Sequence, residues 1–218
     1  MRWLDRLLQR WRGKVARPWV APGAKVLDIG CHQGEFLKSL GGRIGPSVGM
    51  DPVAAAEECP PCRLLSESFR PPTPFGDASF DVVVLTATLE HIRDKSTLAW
   101  ECWRLLCPGG RVVVTVPSLR VDGIVKLLRR LRLADGMSLE EHHGFDPRLT
   151  PSVFHSHGFV LEYSRRFQLG LNHLFVFRKT DAVDDAAREG CYEKSIDPSP
   201  KVLAAGLPYP GCGRVGRA

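Results

Sequence analysis

Two carboxylates and a pair of glycines carry the spacing in this chain that could do chemistry. Val26-Leu27-Asp28-Ile29 runs into Gly30-Cys31-His32-Gln33-Gly34, and Glu35-Phe36-Leu37-Lys38-Ser39-Leu40 resumes at helical spacing. The stretch reads as strand, tight turn and helix. Open α/β sheets bind ligands at such turns, beyond the carboxyl ends of their strands. Asp51 lies 21 residues beyond Gly30 and closes a second apolar stretch, Gly45 to Pro52. An acid about 20 residues past a glycine turn reaches the hydroxyls of a ribose, and its two oxygens accept from both. A strand-end cap on the following segment is the competing reading of Asp51. A third polar group, Thr86-Ala87-Thr88-Leu89-Glu90-His91, emerges from Phe80–Thr86, the most β-branched segment of the chain.

These groups need a scaffold that brings strand ends together, and the remaining pattern supplies one. Cys62 to Ser66 reads as a brief strand, and a proline-rich loop from Pro71 to Asp77 leads to the strand ending at Thr86. Thr97 to Leu106 has helical character and stops at Pro108-Gly109-Gly110, after which Arg111–Pro117 is a further strand. Strands and helices alternating at this period predict an α/β fold with a doubly wound, mostly parallel sheet. Thr150-Pro151 opens a short helix ending near Gly158, and residues 159–163 and 173–178 close the sheet as an antiparallel hairpin around Gly170. Ahead of the first strand, Trp3, Leu4, Leu7, Leu8 and Trp11 recur at helical spacing between arginines, a basic amphipathic helix. Such a helix either lies on its own domain or contacts a membrane surface. The expected organisation is this helix over residues 1–19, a domain over 20–179, and a flexible tail over 180–218, where acidic and small residues give way to prolines and glycines.

Composition narrows the classes. With 218 residues, 44% apolar and 25% charged, the chain suits one globular domain with a full core. No apolar run approaches the roughly 20 residues of a membrane span, and the opening residues lack the apolar core of a secretory signal. The cytoplasm is the expected location, with peripheral contact at the inner face of a membrane as the variant that the amphipathic helix allows. Seven cysteines form no secreted disulfide framework, and Cys59-Pro60-Pro61-Cys62 supplies only two of the four ligands that a structural zinc needs. It reads as a proline-stiffened loop, and no metal is expected. The net charge of +6 is local: residues 1–20 carry +5, residues 120–132 carry +4 through Lys126, Arg129, Arg130 and their neighbours, and the rest is acidic. Two basic patches suit an anionic substrate or surface more than a nucleic acid.

Four stretches, VLDIGCHQGEF (26–36), GMD (49–51), PFGDASFDVVVLTATLEHIRD (74–94) and LCPGGRVVVTVP (106–117), together resemble the class I S-adenosylmethionine-dependent methyltransferases. The group is the large methyltransferase domain type that includes ubiquinone and menaquinone C-methylases. The later stretch EHHGFDPRLTPSVFHSHGF and FQLGLNHLFVFRK is similar to members found with cell-surface polysaccharide or glycolipid biosynthesis. The resemblance implies a Rossmann-like, seven-stranded methyltransferase fold and S-adenosyl-L-methionine as cofactor. Asp28, Gly30 and Gly34 would frame its methionine end, Asp51 with Pro52 the ribose, Glu67 and Ser68 the adenine edge, and Thr86 the floor near the sulfonium. One position departs from the pattern G-x-G-x-G: His32 stands where the family has glycine. It either meets the cofactor carboxylate or tilts outward. The nicotinamide pattern G-x-G-x-x-G fits worse, because both His32 and Glu35 break it.

Methyl transfer from a sulfonium is an in-line displacement, so alignment and exclusion of water are the protein's main contributions, worth roughly 7–11 kcal/mol. A hydroxyl acceptor would also want a base, for which His91, His142 and His143 are the candidates. A small-molecule, saccharide or lipid-linked acceptor is expected. A non-catalytic cofactor-binding module and an RNA methyltransferase are the alternatives, the latter without the asparagine-proline-proline-aromatic signature where Thr86-Ala87-Thr88-Leu89 stands.

Overall fold

A computed structural model describes residues 3–118 and 145–180. The expected basic helix at 124–133, His142, His143 and residues 181–218 lie outside the described residues.

The first strand, β1 (Val26–Ile29), is buried at all four positions because it is covered on both faces. It pairs in parallel with β2 (Ser47–Met50) on one side and β5 (Phe80–Thr86) on the other. Beyond β2 lie β4 (Cys62–Leu65), parallel to it, and β3 (Glu57–Cys59), antiparallel at the edge. Beyond β5 come β6 (Leu106–Pro117), parallel, then β8 (Asn172–Lys179) and β7 (Phe159–Phe167), both antiparallel. The order is β3-β4-β2-β1-β5-β6-β8-β7. The doubly wound, mostly parallel sheet with its C-terminal hairpin is as the sequence predicts. The order reverses between β1 and β5, which opens a crevice at their carboxyl ends.

Two details differ from the sequence reading. β3 adds an eighth strand, and Cys59 and Cys62 face each other across it with their sulfurs 2.6 Å apart, so the two prolines form a hairpin turn rather than a loop. Helix α3 (Lys95–Leu105) ends before Pro108-Gly109-Gly110, which falls inside β6. Leu106 already pairs with Phe80, and the register shift that follows takes up the extra residues, with Gly109 at φ 73°.

Strand alternation sends Leu27, Val83, Leu85, Val112 and Val114 to one face, where α3 and α4 (Thr150–His155) cover them. Val26, Val82, Val84 and Val113 point to the other, against α2 (Glu35–Leu40) and the end of α1 (Trp3–Ala16). Val15, Ala16 and Val20 are buried there, so the N-terminal helix is anchored in the core of the sheet.

A buried clamp fixes the loop that walls the crevice. Glu101 of α3, fully buried, accepts from Thr73 N (2.7 Å) and Thr73 Oγ1 (2.6 Å), and Arg104 donates to both its oxygens at 2.9 and 2.7 Å. Arg104 also donates to Phe75 O at 2.8 Å and Asp77 Oδ1 at 2.7 Å. Burial pushes the Glu101 carboxyl up, but these hydrogen bonds outweigh it and hold the group below its ordinary 4.5. Its folded value is depressed, so the clamp stabilises fully above pH 4.5 and is lost as pH falls through the lower folded value. Glu101→Gln, which leaves Arg104 without its buried counter-charge, is expected to cost about 3 kcal/mol or more in a urea titration at neutral pH. The deficit should shrink as the wild type is acidified.

Candidate active site

Because β1, β2, β4 and β5 are parallel, the turns after Ile29, Met50, Leu65 and Thr86 collect at one sheet edge. Gly30 N and Cys31 N both donate to Met50 O, at 2.8 and 3.3 Å, which ties the first turn to the second. Gly30 has φ 77°, and a Cβ there would lie 2.3 Å from Thr88 Oγ1. The position therefore admits glycine on two counts, conformation and the close approach of the loop after β5. Gly34 caps α2 at φ 74° with a Cβ position 2.7 Å from Leu64, so its role is to seat the helix on the sheet.

Asp51 is held from both sides: Oδ2 accepts from His32 N and Oδ1 from Val53 N, each at 2.9 Å. Each oxygen keeps a lone pair, so capping the strand end leaves the carboxylate able to accept further hydrogen bonds. His32 adopts φ 52°, a left-handed conformation that glycine takes freely and other residues rarely. Its ring turns outward, Nδ1 lying 3.1 Å from Glu35 Oε1 with both side chains 42% exposed. Of the two sequence readings of His32, the outward tilt describes its geometry.

Two cavities flank Gly30. One, of about 680 Å³, is lined by Gly30, Pro52, Ser68, Thr88, His91 and Asp94. The other, of about 620 Å³, has Asp28, Cys31 and Thr86 on its floor and Gln9, Gly13 and Lys14 of α1 above. Of the predicted residues, Gly30, Pro52, Ser68 and His91 line the first cavity and Asp28 and Thr86 the second, while His32, Gly34 and Asp51 line neither. Glu67 is exposed in the loop after β4 and does not line the first cavity, although its neighbour Ser68 does.

Asp28 is the electrostatic centre of the second cavity. It is 1% exposed, neither oxygen has a hydrogen-bond partner among the described residues, and burial, with the charges of Asp51 and Glu35, pushes its carboxyl up to about 7. A buried orphan carboxylate lining a cavity fits a ligand that brings an ammonium group, as the methionine end of the implied cofactor does. Glycine backbone at the turn, Asp51 and the Ser68 side of the first cavity complete a set of residues able to hold that cofactor.

Thr88, part of the polar run that the sequence places at this edge, faces Gly30, whereas sequence reasoning missed Phe69, Arg70 and Ile92, which wall the first cavity. Ala87 at φ 56° turns the chain sharply after β5, its N–H bonded to Thr115 O at 2.9 Å, and so aims Thr86 and Thr88 toward opposite cavities. Glu90 is 3% exposed with neither oxygen partnered among the described residues; burial pushes its carboxyl up while His91, Arg12 and Lys95 pull it back. Position after a strand was the available signal for Phe69 and Arg70, and Glu90 belongs to the polar run that the sequence singles out, with nothing in the sequence to say that it is buried.

Two outcomes test this geometry. The raised folded value of Asp28 means that between pH 3.8 and about 7 the folded state carries a proton that the unfolded chain has lost, so stability falls as pH rises through that window. A ligand ammonium would drive the proton off. Titration calorimetry with S-adenosylmethionine below pH 7, in buffers of unequal ionisation enthalpy, should show proton release that Asp28→Asn abolishes, with affinity lowered about tenfold. His32→Gly should relieve a left-handed residue and raise stability by up to about 1 kcal/mol, leaving cofactor affinity unchanged because the ring faces Glu35; a large loss of affinity would restore the imidazole to the site.

Solved structures share this architecture. A methyltransferase from Methanosarcina mazei, described as SAM-dependent, superposes with a TM-score of 0.57 at 20% identity, over 78% of this chain and 98% of that one. An S-adenosylmethionine-dependent methyltransferase from Mesorhizobium loti gives 0.58 at 15% identity, over 76% of this chain and 96% of its own. Among curated proteins, a ubiquinone biosynthesis O-methyltransferase of Psychrobacter cryohalolentis is 28% identical over 168 residues, 69% of this chain and 63% of that protein. A demethylmenaquinone methyltransferase of Lactococcus lactis is 32% identical over 116 residues, covering 47% and 46%. The chain therefore spans about half of the length of these relatives. The profile of a family described as a methyltransferase domain matches residues 2–163, and with the glycine turn, the strand-end acid and the sheet order in place, the chain belongs to that S-adenosylmethionine-dependent methyltransferase family.

Proposed function

We propose that this protein transfers a methyl group from S-adenosylmethionine to a small-molecule, saccharide or lipid-linked acceptor. The observation that carries the reading is the orphan carboxylate of Asp28 in a cavity at the reversal of strand order. The cofactor supplies, when bound, a methyl carbon already activated by its sulfonium. The chain's own residues orient and enclose it: Asp28 takes the amino group, Asp51 the ribose diol, and Gly30 admits backbone to close approach. Ser68 and Phe69 would wall the adenine side, and Thr86, the last residue of β5, would form the floor near the sulfonium. Alignment inside these walls and exclusion of water are the sources of acceleration.

His91 is exposed and lines the first cavity, so as a general base it would serve a hydroxyl acceptor that approaches from that side. A carbon acceptor with an acidic proton would need less help. Relatives named for ubiquinone and menaquinone biosynthesis support a small organic acceptor, and the basic charge of α1 supports an anionic or lipid-linked one.

The test is transfer of label. The protein, incubated with methyl-labelled S-adenosylmethionine and a fractionated extract of its host, is expected to place label in a lipid or saccharide fraction, and Asp51→Ala should abolish it. Label in RNA would install the RNA methyltransferase reading instead, and cofactor binding with no label in any fraction would mark a non-catalytic module.

A further inference from the structure

A third cavity lies apart from the two beside the glycine turn. It measures about 750 Å³ and lies on the other flank of α1, between that helix and the edge strand β7, with Leu7, Trp11, Trp19 and Tyr163 as its apolar lining and Arg10 and Arg165 at its rim. Trp19 and Tyr163 pack with ring centroids 5.0 Å apart. Leu7 and Trp11, one helical turn apart, are 50% and 42% exposed, and Tyr163 is 37% exposed. Aromatic and leucine side chains in contact with water on one face need a reason.

The β7–β8 turn supplies a second, independent oddity. Gln168 and Leu169 both have positive φ, 51° and 56°, and Gly170 N donates to Phe167 O at 3.1 Å. A hairpin turn with two left-handed central residues favours Asn-Gly, and here the second of them is a leucine that is 98% exposed. Within the described residues the strained leucine contributes nothing to the core. Gln168 Nε2 donates to Leu8 O at 3.0 Å, which fixes this turn against α1 and brings Leu169 to the same side of the molecule as the helix.

We propose that the face formed by α1, Trp19, β7 and the Leu169 turn docks on an anionic lipid bilayer. Exposed Leu, Trp and Tyr match the acyl-chain and headgroup boundary. The exposed cations Arg10, Lys14 and Arg165 around them match the charge of an anionic leaflet and disfavour an apolar protein partner. No described helix is long and apolar enough to cross a membrane, so the contact is peripheral. The geometry also gives docking a purpose. Arg10 and Lys14 border both this cavity and the one floored by Asp28 and Thr86, so α1 is a single helix standing between the docking face and the methyl-transfer site. The inference rests on the lipid-linked reading of the acceptor and sharpens it: the acceptor would reach the site from the bilayer alongside α1.

Co-sedimentation of the full chain with vesicles tests it. Binding is expected to vesicles carrying phosphatidylglycerol, to be weak with phosphatidylcholine alone, and to fall with added salt. Arg165→Glu should lower partitioning roughly fivefold or more, and Leu169→Ser should lower it further in combination, while calorimetric affinity for S-adenosylmethionine stays that of the wild type. Equal binding to both vesicle types, or no binding, would overturn the proposal. So would a concentration-dependent dimer in solution that the same two variants abolish, which would assign the face to a second copy. Vesicle binding without cofactor binding would leave the docking face and remove the methyltransferase reading; the reverse would remove the face alone.

Discussion

A carboxylate inside a strand that is buried on both faces is the constraint around which this protein is arranged. Asp28 is desolvated by the sheet and has no hydrogen-bond partner among the described residues, so its charged form is disfavoured until a cation arrives. Such a group is tolerated in a core when it can hold a proton and when a ligand supplies the missing partner. Everything nearby follows from keeping that position at a cavity: β1 sits in the middle of the sheet, between β2 and β5, and the crevice opens where the strand order turns back.

Around this centre the protein is stiff where the ligand must be enclosed. The Glu101–Arg104–Thr73 clamp holds the proline-rich loop onto α3, and Asp51 holds the first glycine turn through the His32 N–H. At the crevice itself, His32 and Ala87 hold left-handed backbone, one after β1 and one after β5. Residues kept in sparsely populated conformations persist only where their surroundings over-determine them, and here both are pinned by hydrogen bonds from their own N–H groups. A histidine at the glycine position thus leaves the turn intact, because the backbone pays the conformational cost and the ring finds Glu35.

Helix α1 connects the two ends of the functional proposal. Its last turn is buried with the core of the sheet, its Gln9–Gly13 side closes the cavity above Asp28, and its Leu7–Trp11 side is exposed next to a strained, leucine-bearing turn. One amphipathic element with three distinct surroundings is an economical way to tie a cofactor pocket to an outer surface.

How much of this was legible in the sequence depends on range. Local spacing sufficed for the strand–turn–helix at Gly30, the acid at Asp51, the β-branched run ending at Thr86 and the closing hairpin, because alternation, glycine and strand-end chemistry act over a few residues. The irregularity at His32 shows only against the pattern of the family that the chain resembles. Local spacing could not say that Pro108-Gly109-Gly110 lies inside a strand, since that is settled by the pairing of Leu106 with Phe80 and of Arg111 with Val82 on either side, or that Cys59 ends one, since that follows from Cys62 opposite it. Nor could it separate the predicted residues into two cavities, orphan the Asp28 carboxylate, or bring Leu169 beside α1. Those depend on contacts between residues distant in the chain, as when Gln168 bonds to Leu8, and only the folded sheet creates them.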